Sequence, residues 1–89
     1  MKAEIFEHSG WIDETDPANL KVYYDKLLSY CGFDILGYID YNFDPFGFTA
    51  LWLLGESHFA IHTFPEEGKS FINLASCNKE FYNRFLSHE

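Results

Sequence analysis

The stretch FTALWLLGESHFAIHTF, residues 48–64, decides the fold. Two runs rich in aromatic and β-branched residues, 48–54 and 58–64, flank a short Gly-Glu-Ser connection. Runs of this kind, bounded by turn residues, are typical of β-strands. Because so short a connection joins strands that run in opposite directions, the stretch predicts an antiparallel hairpin.

Further elements extend this hairpin on both sides. Apolar residues recur at helical spacing from Ala18 to Tyr30, with Asp16 able to cap the helix, Pro17 at the first helical position and Gly32 as a stop. The connections at 44–47 and 65–69 are again short, which predicts a meander. Besides the hairpin, the sequence predicts strands at Phe33 to Phe43 and Ser70 to Cys77, a short first strand at Lys2 to Phe6, and a last helix at Lys79 to Leu86.

The predicted fold class is α+β, a two-layer sandwich of an antiparallel sheet with two helices on one face. We expect a single domain over residues 1–89. The 10 Phe, 6 Tyr and 2 Trp are more rings than one small core readily hides. The other sheet face is therefore expected to meet a partner, and a homodimer through that face is the simplest.

Composition excludes several function classes. The net charge of −8 argues against nucleic acid, whose phosphates require a basic patch, and suits a cationic small molecule, although an acidic balance usually serves solubility. No apolar stretch is long enough to cross a membrane, and no secretory leader is visible. The two cysteines have no framework spacing, so we expect a cytoplasmic protein with reduced thiols.

One combination of motifs is specific. Residues 56–58 read Glu-Ser-His, residues 62–66 read His-Thr-Phe-Pro-Glu, and Cys77 follows twenty residues after the serine. Upstream, residues 43–49 read FDPFGFT. Together they resemble the bacterial and archaeal S-adenosylmethionine decarboxylases, whose patterns read E-S-H, three residues, H-T-W-P-E, and F-x-P-x-G-x-S. A lone Ser-His pair would carry little weight.

The resemblance implies a proenzyme that cleaves itself between Glu56 and Ser57. Ser57 would attack the preceding carbonyl and become a pyruvoyl cofactor, with no metal. His62 would remove the α-proton of the resulting ester, and the hydroxyl of Thr49 would hold the intermediate. A pyruvoyl carbonyl that forms a Schiff base with the substrate amine supplies the electron sink that decarboxylation needs.

The resemblance also implies a substrate, S-adenosylmethionine, and a place in spermidine synthesis. Cys77 would return a proton to the product carbon. Phe43 and Phe64 would flank the adenine ring, and Glu66 would hold the ribose hydroxyls. The family's dimeric, four-layer α/β/β/α arrangement is implied as well.

Strand register gives an independent view of the site. Pairing Phe64 with Ser70 sets Ser57 opposite Cys77, and pairing Leu54 with Phe59 across the turn at 55–57 places Thr49 near His62. At about 3.3 Å per residue, His62 lies roughly 16 Å from Ser57 along a straight strand, with its side chain on the other face. A single protomer therefore splits the site, and a twofold dimer would rejoin its halves.

Departures from the family pattern keep alternatives open. Thr49 stands where the family has serine, and Phe64 stands where it has tryptophan. Asn73 and Asn78 occupy the positions where the family has aspartate and glycine. A pyruvoyl decarboxylase of arginine or ornithine is one alternative. An unprocessed, non-catalytic homologue that acts as a binding or regulatory partner is the other. His58 and His62 have the spacing of a helical zinc pair, but strand geometry separates them by about 13 Å.

Overall fold

The protein is a five-stranded antiparallel sheet with two helices on one face, as predicted. A computed structural model describes residues 3–88. The spatial order of the strands is β1-β5-β4-β3-β2, so β2 to β5 form the predicted meander. The elements are β1 (Phe6–Ile12), α1 (Pro17–Cys31), β2 (Ile35–Asn42), β3 (Phe48–Leu54), β4 (Ser57–Phe64), a 3-10 turn (Pro65–Glu67), β5 (Lys69–Ser76) and α2 (Lys79–Leu86).

The core lies between the sheet and the helices. Every second residue of β3 is buried, as expected for a strand with one face against a core. Tyr24 of α1 packs its ring 4.7 Å from that of Phe59 on β4 and 6.3 Å from that of Phe85 on α2. Each fully buried side chain of this size contributes about 1.5–3 kcal/mol, so these contacts hold both helices to one face of the sheet.

The first strand was predicted too early. β1 begins at Phe6, where the predicted strand ends, and pairs with β5 from Phe6↔Ser76 to Ile12↔Ser70. Lys2 lies outside the described residues. The inward positions of β1 include His8 and Gly10 and are only half-buried, so the strand lacks the apolar alternation that sequence reasoning depends on.

The second strand starts later than predicted, at Ile35 instead of Phe33. The N–H of Phe33 donates to the carbonyl of Leu28, which closes the end of α1. The buried ring of Phe33 also packs edge-on at 5.4 Å against Phe81 of α2. Phe33 therefore belongs to the helix C-terminal motif, where a hydrophobic residue commonly follows the cap.

Helix α1 has the predicted caps. The carboxylate of Asp16 accepts a hydrogen bond from the N–H of Asn19, and Pro17 occupies the first turn. Gly32 ends the helix in the left-handed region, at φ 108°. A β-carbon at this position would lie 2.6 Å from a ring carbon of Phe81. Only glycine satisfies both the backbone conformation and the packing of α2 here.

Replacing this cap glycine should destabilise the protein. We expect Gly32→Ala to lower the free energy of unfolding by about 1–3 kcal/mol, because it adds left-handed strain and displaces Phe81. Urea denaturation followed by circular dichroism measures the change. Gly10→Ala is the matched control, since its β-carbon meets nothing closer than 3.8 Å and its φ is not positive. Equal stability of the two variants would contradict the assignment.

The sheet face away from the helices carries large apolar side chains. Ile39 and Leu51 are direct neighbours on β2 and β3, and both are exposed. Trp11 and Phe64 are exposed on the same face, with their rings 5.8 Å apart. We call this surface, which also includes Leu53 and Tyr41, the open face. The open face is therefore the sheet face that was predicted to be rich in aromatic residues and not covered by helices.

Over residues 3–88, no helix is both long enough and apolar enough to cross a membrane.

Candidate active site

The turn between β3 and β4 contains the candidate cleavage site. Leu54 pairs with Ser57, so Gly55 and Glu56 form a two-residue turn. Among the residues that the structure describes, Glu56 is the one non-glycine residue in the left-handed region, with φ 61°. For a residue with a β-carbon this conformation costs roughly 1–2 kcal/mol. The peptide bond between Glu56 and Ser57 thus directly follows a residue whose backbone is strained.

Both reacting groups of this peptide bond are hydrogen-bonded to the end of β5. The hydroxyl of Ser57 donates to the hydroxyl oxygen of Ser76, at 2.6 Å. The carbonyl oxygen of Glu56 accepts from the backbone N–H of Cys77, at 3.1 Å. A backbone N–H on a carbonyl oxygen favours negative charge on that oxygen, as an attack on the carbonyl carbon would produce.

The predicted pairing of Ser57 with Cys77 was wrong by one residue. Ser57 faces Ser76, and Phe64 pairs with Lys69 instead of Ser70. The cause is the connection, because the 3-10 turn and Gly68 (φ 67°) occupy only residues 65–68. Cys77 follows β5, is exposed, and reaches the cleavage site through its backbone N–H.

A second cluster lies at the opposite end of the hairpin. Thr49 lies near His62, as predicted, and its hydroxyl oxygen is 3.0 Å from Nδ1 of the imidazole. The predicted register was wrong by two residues, because Leu54 pairs with Ser57 instead of Phe59 across a turn of only two residues. Phe43, Phe64 and Glu66 line the same depression, whose volume is about 270 Å³. For Nε2 to act as a base, Nδ1 must carry the proton and donate it to Thr49. The three predicted substrate-binding residues and two predicted processing residues are therefore brought together.

The two clusters are not joined within one chain. Ser57 and His62 are five residues apart on a regular strand, about 16 Å, and the strand parity points them to opposite faces. Phe59 and Ile61, which share the parity of Ser57, are buried in the core, whereas His62 lies beside exposed Phe64. The protomer therefore presents two half-sites.

His58 and His62 do not form a metal pair. Both lie on β4 with the same parity, four residues and about 13 Å apart. Within residues 3–88, no three His, Cys, Asp or Glu side chains are grouped closely enough to hold a metal ion.

Two residues near the site were missed by sequence reasoning. Ser76 is fully buried and contacts Ser57, which only the correct register reveals. Trp11 of β1 packs against Phe64, and the ammonium group of Lys69 lies 4.4 Å from the centroid of the Trp11 ring. A lone tryptophan in a polar run gave no signal, because only the β1–β5 pairing brings it beside Phe64.

The model of one protein family, described as S-adenosylmethionine decarboxylase, matches residues 9–86. The chain belongs to the S-adenosylmethionine decarboxylase family. An S-adenosylmethionine decarboxylase proenzyme of Prochlorococcus marinus (strain MIT 9313) is 35% identical over 65 residues, which cover 73% of this chain and 52% of the relative. A proenzyme of the same name from Symbiobacterium thermophilum is 43% identical over 47 residues, 53% of this chain and 36% of the relative.

Two further facts qualify these matches. The chain spans about half the length of the first curated relatives, 52% and 48%. A crystal structure titled as the adenosylmethionine decarboxylase from Aquifex aeolicus VF5 superposes with a TM-score of 0.80 and 20% identity. The match covers 99% of this chain and 78% of that one. It confirms the fold of this family member.

Proposed function

We propose that this family member is a self-processing, pyruvoyl-dependent decarboxylase of S-adenosylmethionine. The observation that carries the proposal is the state of the Glu56–Ser57 peptide bond. It follows a left-handed residue, its carbonyl oxygen accepts the N–H of Cys77, and the neighbouring hydroxyl is held by Ser76. A left-handed residue is common in two-residue hairpin turns, and the Cys77 N–H bond continues the β4–β5 ladder. What supports the proposal is that the strain, the hydrogen-bonded carbonyl and a held serine hydroxyl meet at one peptide bond, and an acyl shift uses all three.

The proposed cleavage balances with one water molecule. The Oγ of Ser57 attacks the carbonyl carbon of Glu56; the new C–O bond forms, the C–N bond breaks, and the hydroxyl proton goes to the freed nitrogen. A base then removes the α-proton of residue 57, the Cβ–Oγ bond breaks, and Glu56 leaves as a carboxylate. The remaining enamine tautomerises to an imine, and water converts it to a ketone with release of ammonia.

The residues present fit a pyruvoyl group. A serine stands at the cleavage position, and Ser76 and the N–H of Cys77 contact the two sides of the bond to be broken. Once formed, the group supplies a carbonyl that accepts the charge left when carbon dioxide departs. The thiol of Cys77 is exposed at the same end of β5 and can return a proton to carbon. A reduced thiol fits the proposed cytoplasmic location.

The second half-site fits the remaining roles. His62, oriented by Thr49, is the proposed base that removes the α-proton. Phe43 and Phe64 present ring faces for the adenine, and Glu66 presents a carboxylate for the ribose hydroxyls. Because these groups cannot reach residue 57 of their own chain, we propose a homodimer through the open face, with four α/β/β/α layers. The hydroxyl of Ser57 points to the helix side, so the partner's His62 would reach the α-hydrogen of residue 57, which lies on the opposite side of the strand from the hydroxyl. Each complete site then contains residues of both protomers.

S-adenosylmethionine is preferred to arginine or ornithine as substrate. The relatives carry its name, and the depression offers aromatic rings, which neither alternative amino acid requires. A role in spermidine synthesis belongs to this proposal.

Intact mass under denaturing conditions tests the proposal. Freshly purified protein should give two fragments, one ending at Glu56 and the other beginning with a pyruvoyl group. Ser57→Ala should remain one chain, because it lacks the attacking oxygen, while circular dichroism remains unchanged. Purified, cleaved protein should then release labelled carbon dioxide from carboxyl-labelled S-adenosylmethionine. A wild-type chain that stays whole for days at several pH values would leave the non-catalytic homologue as the correct interpretation.

A further inference from the structure

Ser76 holds the attacking hydroxyl of the proposed cleavage. It is fully buried in β5 and lies directly opposite Ser57 in the strand register. The two hydroxyl oxygens are 2.6 Å apart, which is a short hydrogen bond. Sequence reasoning gave this residue no role.

The contacts of Ser76 decide which hydroxyl is the donor. Its Oγ accepts the N–H of Asn78 at 2.9 Å, and its own hydroxyl points to the carbonyl of Asn78 at 3.4 Å. Ser57 is therefore the donor in the Ser57–Ser76 hydrogen bond. With the proton directed at Ser76, the lone pairs of the Ser57 oxygen are free to face the carbonyl of Glu56.

Ser76 is itself fixed by the start of α2. Asn78 caps that helix, since its side-chain oxygen accepts the N–H of Phe81 at 3.0 Å. The ring of Phe81 packs against the core, beside Phe33. The position of the attacking oxygen is thus tied to a helix through two hydrogen bonds, and the next N–H along the chain, that of Cys77, binds the scissile carbonyl.

We propose that Ser76 is a positioning residue for self-cleavage, which acts by fixing the Ser57 hydroxyl for attack on Glu56. The inference rests on the proposed function, because it concerns the rate of that cleavage. Ser76 neither gains nor loses a proton overall, and it forms no bond to the substrate. Its contribution is orientation, which is worth about 10-fold to 100-fold when a reacting atom is misplaced by up to about 1 Å.

The test follows cleavage of newly made protein by mass spectrometry after a pulse of cell-free synthesis. Ser76→Ala should cleave about 10-fold to 100-fold more slowly than wild type. Ser70→Ala is the control for burial, because Ser70 is also a fully buried serine of β5, and its hydroxyl donates to the carbonyl of Glu14, away from Ser57. It should lose some stability and keep the wild-type cleavage rate.

A second pair of variants separates orientation from packing. Ser76→Thr and Ser76→Val have nearly the same shape, and only threonine keeps the hydroxyl. Ser76→Thr should cleave faster than Ser76→Val by at least about 10-fold, even where Ser76→Ala folds poorly. Hydroxylamine cuts esters, so it reports how much of the ester between Glu56 and Ser57 has formed. It should release fewer fragments from Ser76→Val than from Ser76→Thr, because loss of the hydroxyl slows the step that forms this ester.

The possible failures are distinguishable. If wild type cleaves and the threonine and valine variants cleave equally fast, Ser76 has no positioning role and the proposed function stands. If Ser70→Ala slows cleavage as much as Ser76→Ala, the effect is lost stability, and the inference is again overturned. If wild type does not cleave at all, the proposed function and this inference both fall.

Discussion

Ser57→Ala and His62→Ala chains produced together should restore a cleavage that neither performs alone. Each variant by itself lacks one half of every site, since the attacking oxygen and the base lie about 16 Å apart on one strand. In a mixed dimer, Ser57 of one chain meets His62 of the other, and one of the two sites is intact. The expected product is a cleaved His62→Ala chain beside an uncut Ser57→Ala chain.

Mass spectrometry identifies the cut chain directly, because only its second fragment carries alanine at position 62. With random mixing, about half of the His62→Ala chains enter mixed dimers and should be cleaved. The matched control replaces the Ser57→Ala partner with the double variant Ser57→Ala/His62→Ala, which supplies no base and should restore nothing. Mixed dimers that stay uncut, or a His62→Ala chain that cleaves itself, would contradict the divided site.

Sequence reasoning reached the divided site because strand parity is robust. Whether Ser57 and His62 share a face depends only on their spacing along one strand, which the pattern of 58–64 defined. The proximity of Thr49 to His62 was predicted from the same hairpin, but the exact register was not, because Leu54 pairs with Ser57 instead of Phe59. These predictions used local geometry alone.

The register across the connection from β4 to β5 was also wrong. The partner of Ser57 on β5 depends on how many residues the turn after Phe64 uses, and Gly68 in the left-handed region shortens it by one. That single residue moved the contact from Cys77 to Ser76. A one-residue shift also exchanges the two faces of a strand, so no composition argument could have assigned Ser76.

The strained φ of Glu56 was also beyond sequence reasoning. Gly55 is the residue best suited to a left-handed position, yet the turn places Glu56 there instead. A pattern of residue types predicts that a turn occurs but not which of its two residues adopts the unusual conformation. The strain at the proposed scissile bond therefore became visible only in the structure.

A charge on the open face should separate the proposed dimer and stop cleavage. Ile39 is 67% exposed, lies beside Leu51, and does not line the depression formed by the second half-site. In the homodimer, Ile39→Glu would bury a carboxylate without a partner in each copy, which costs several kcal/mol. Dimer affinity should fall by at least about 100-fold, as measured by sedimentation equilibrium. Cleavage should fall with it and recover as the protein concentration rises.

The matched control places the same charge on the other side of the molecule. Val22 of α1 is 55% exposed on the helix layer, and Val22→Glu should leave both association and cleavage unchanged. An Ile39→Glu protein that is monomeric yet cleaves normally would mean that one chain holds a complete site. An Ile39→Glu protein that remains dimeric and cleaves normally would mean that the interface lies on another surface. Because cleavage needs groups that one strand holds about 16 Å apart, loss of the dimer and loss of cleavage should occur over the same concentration range.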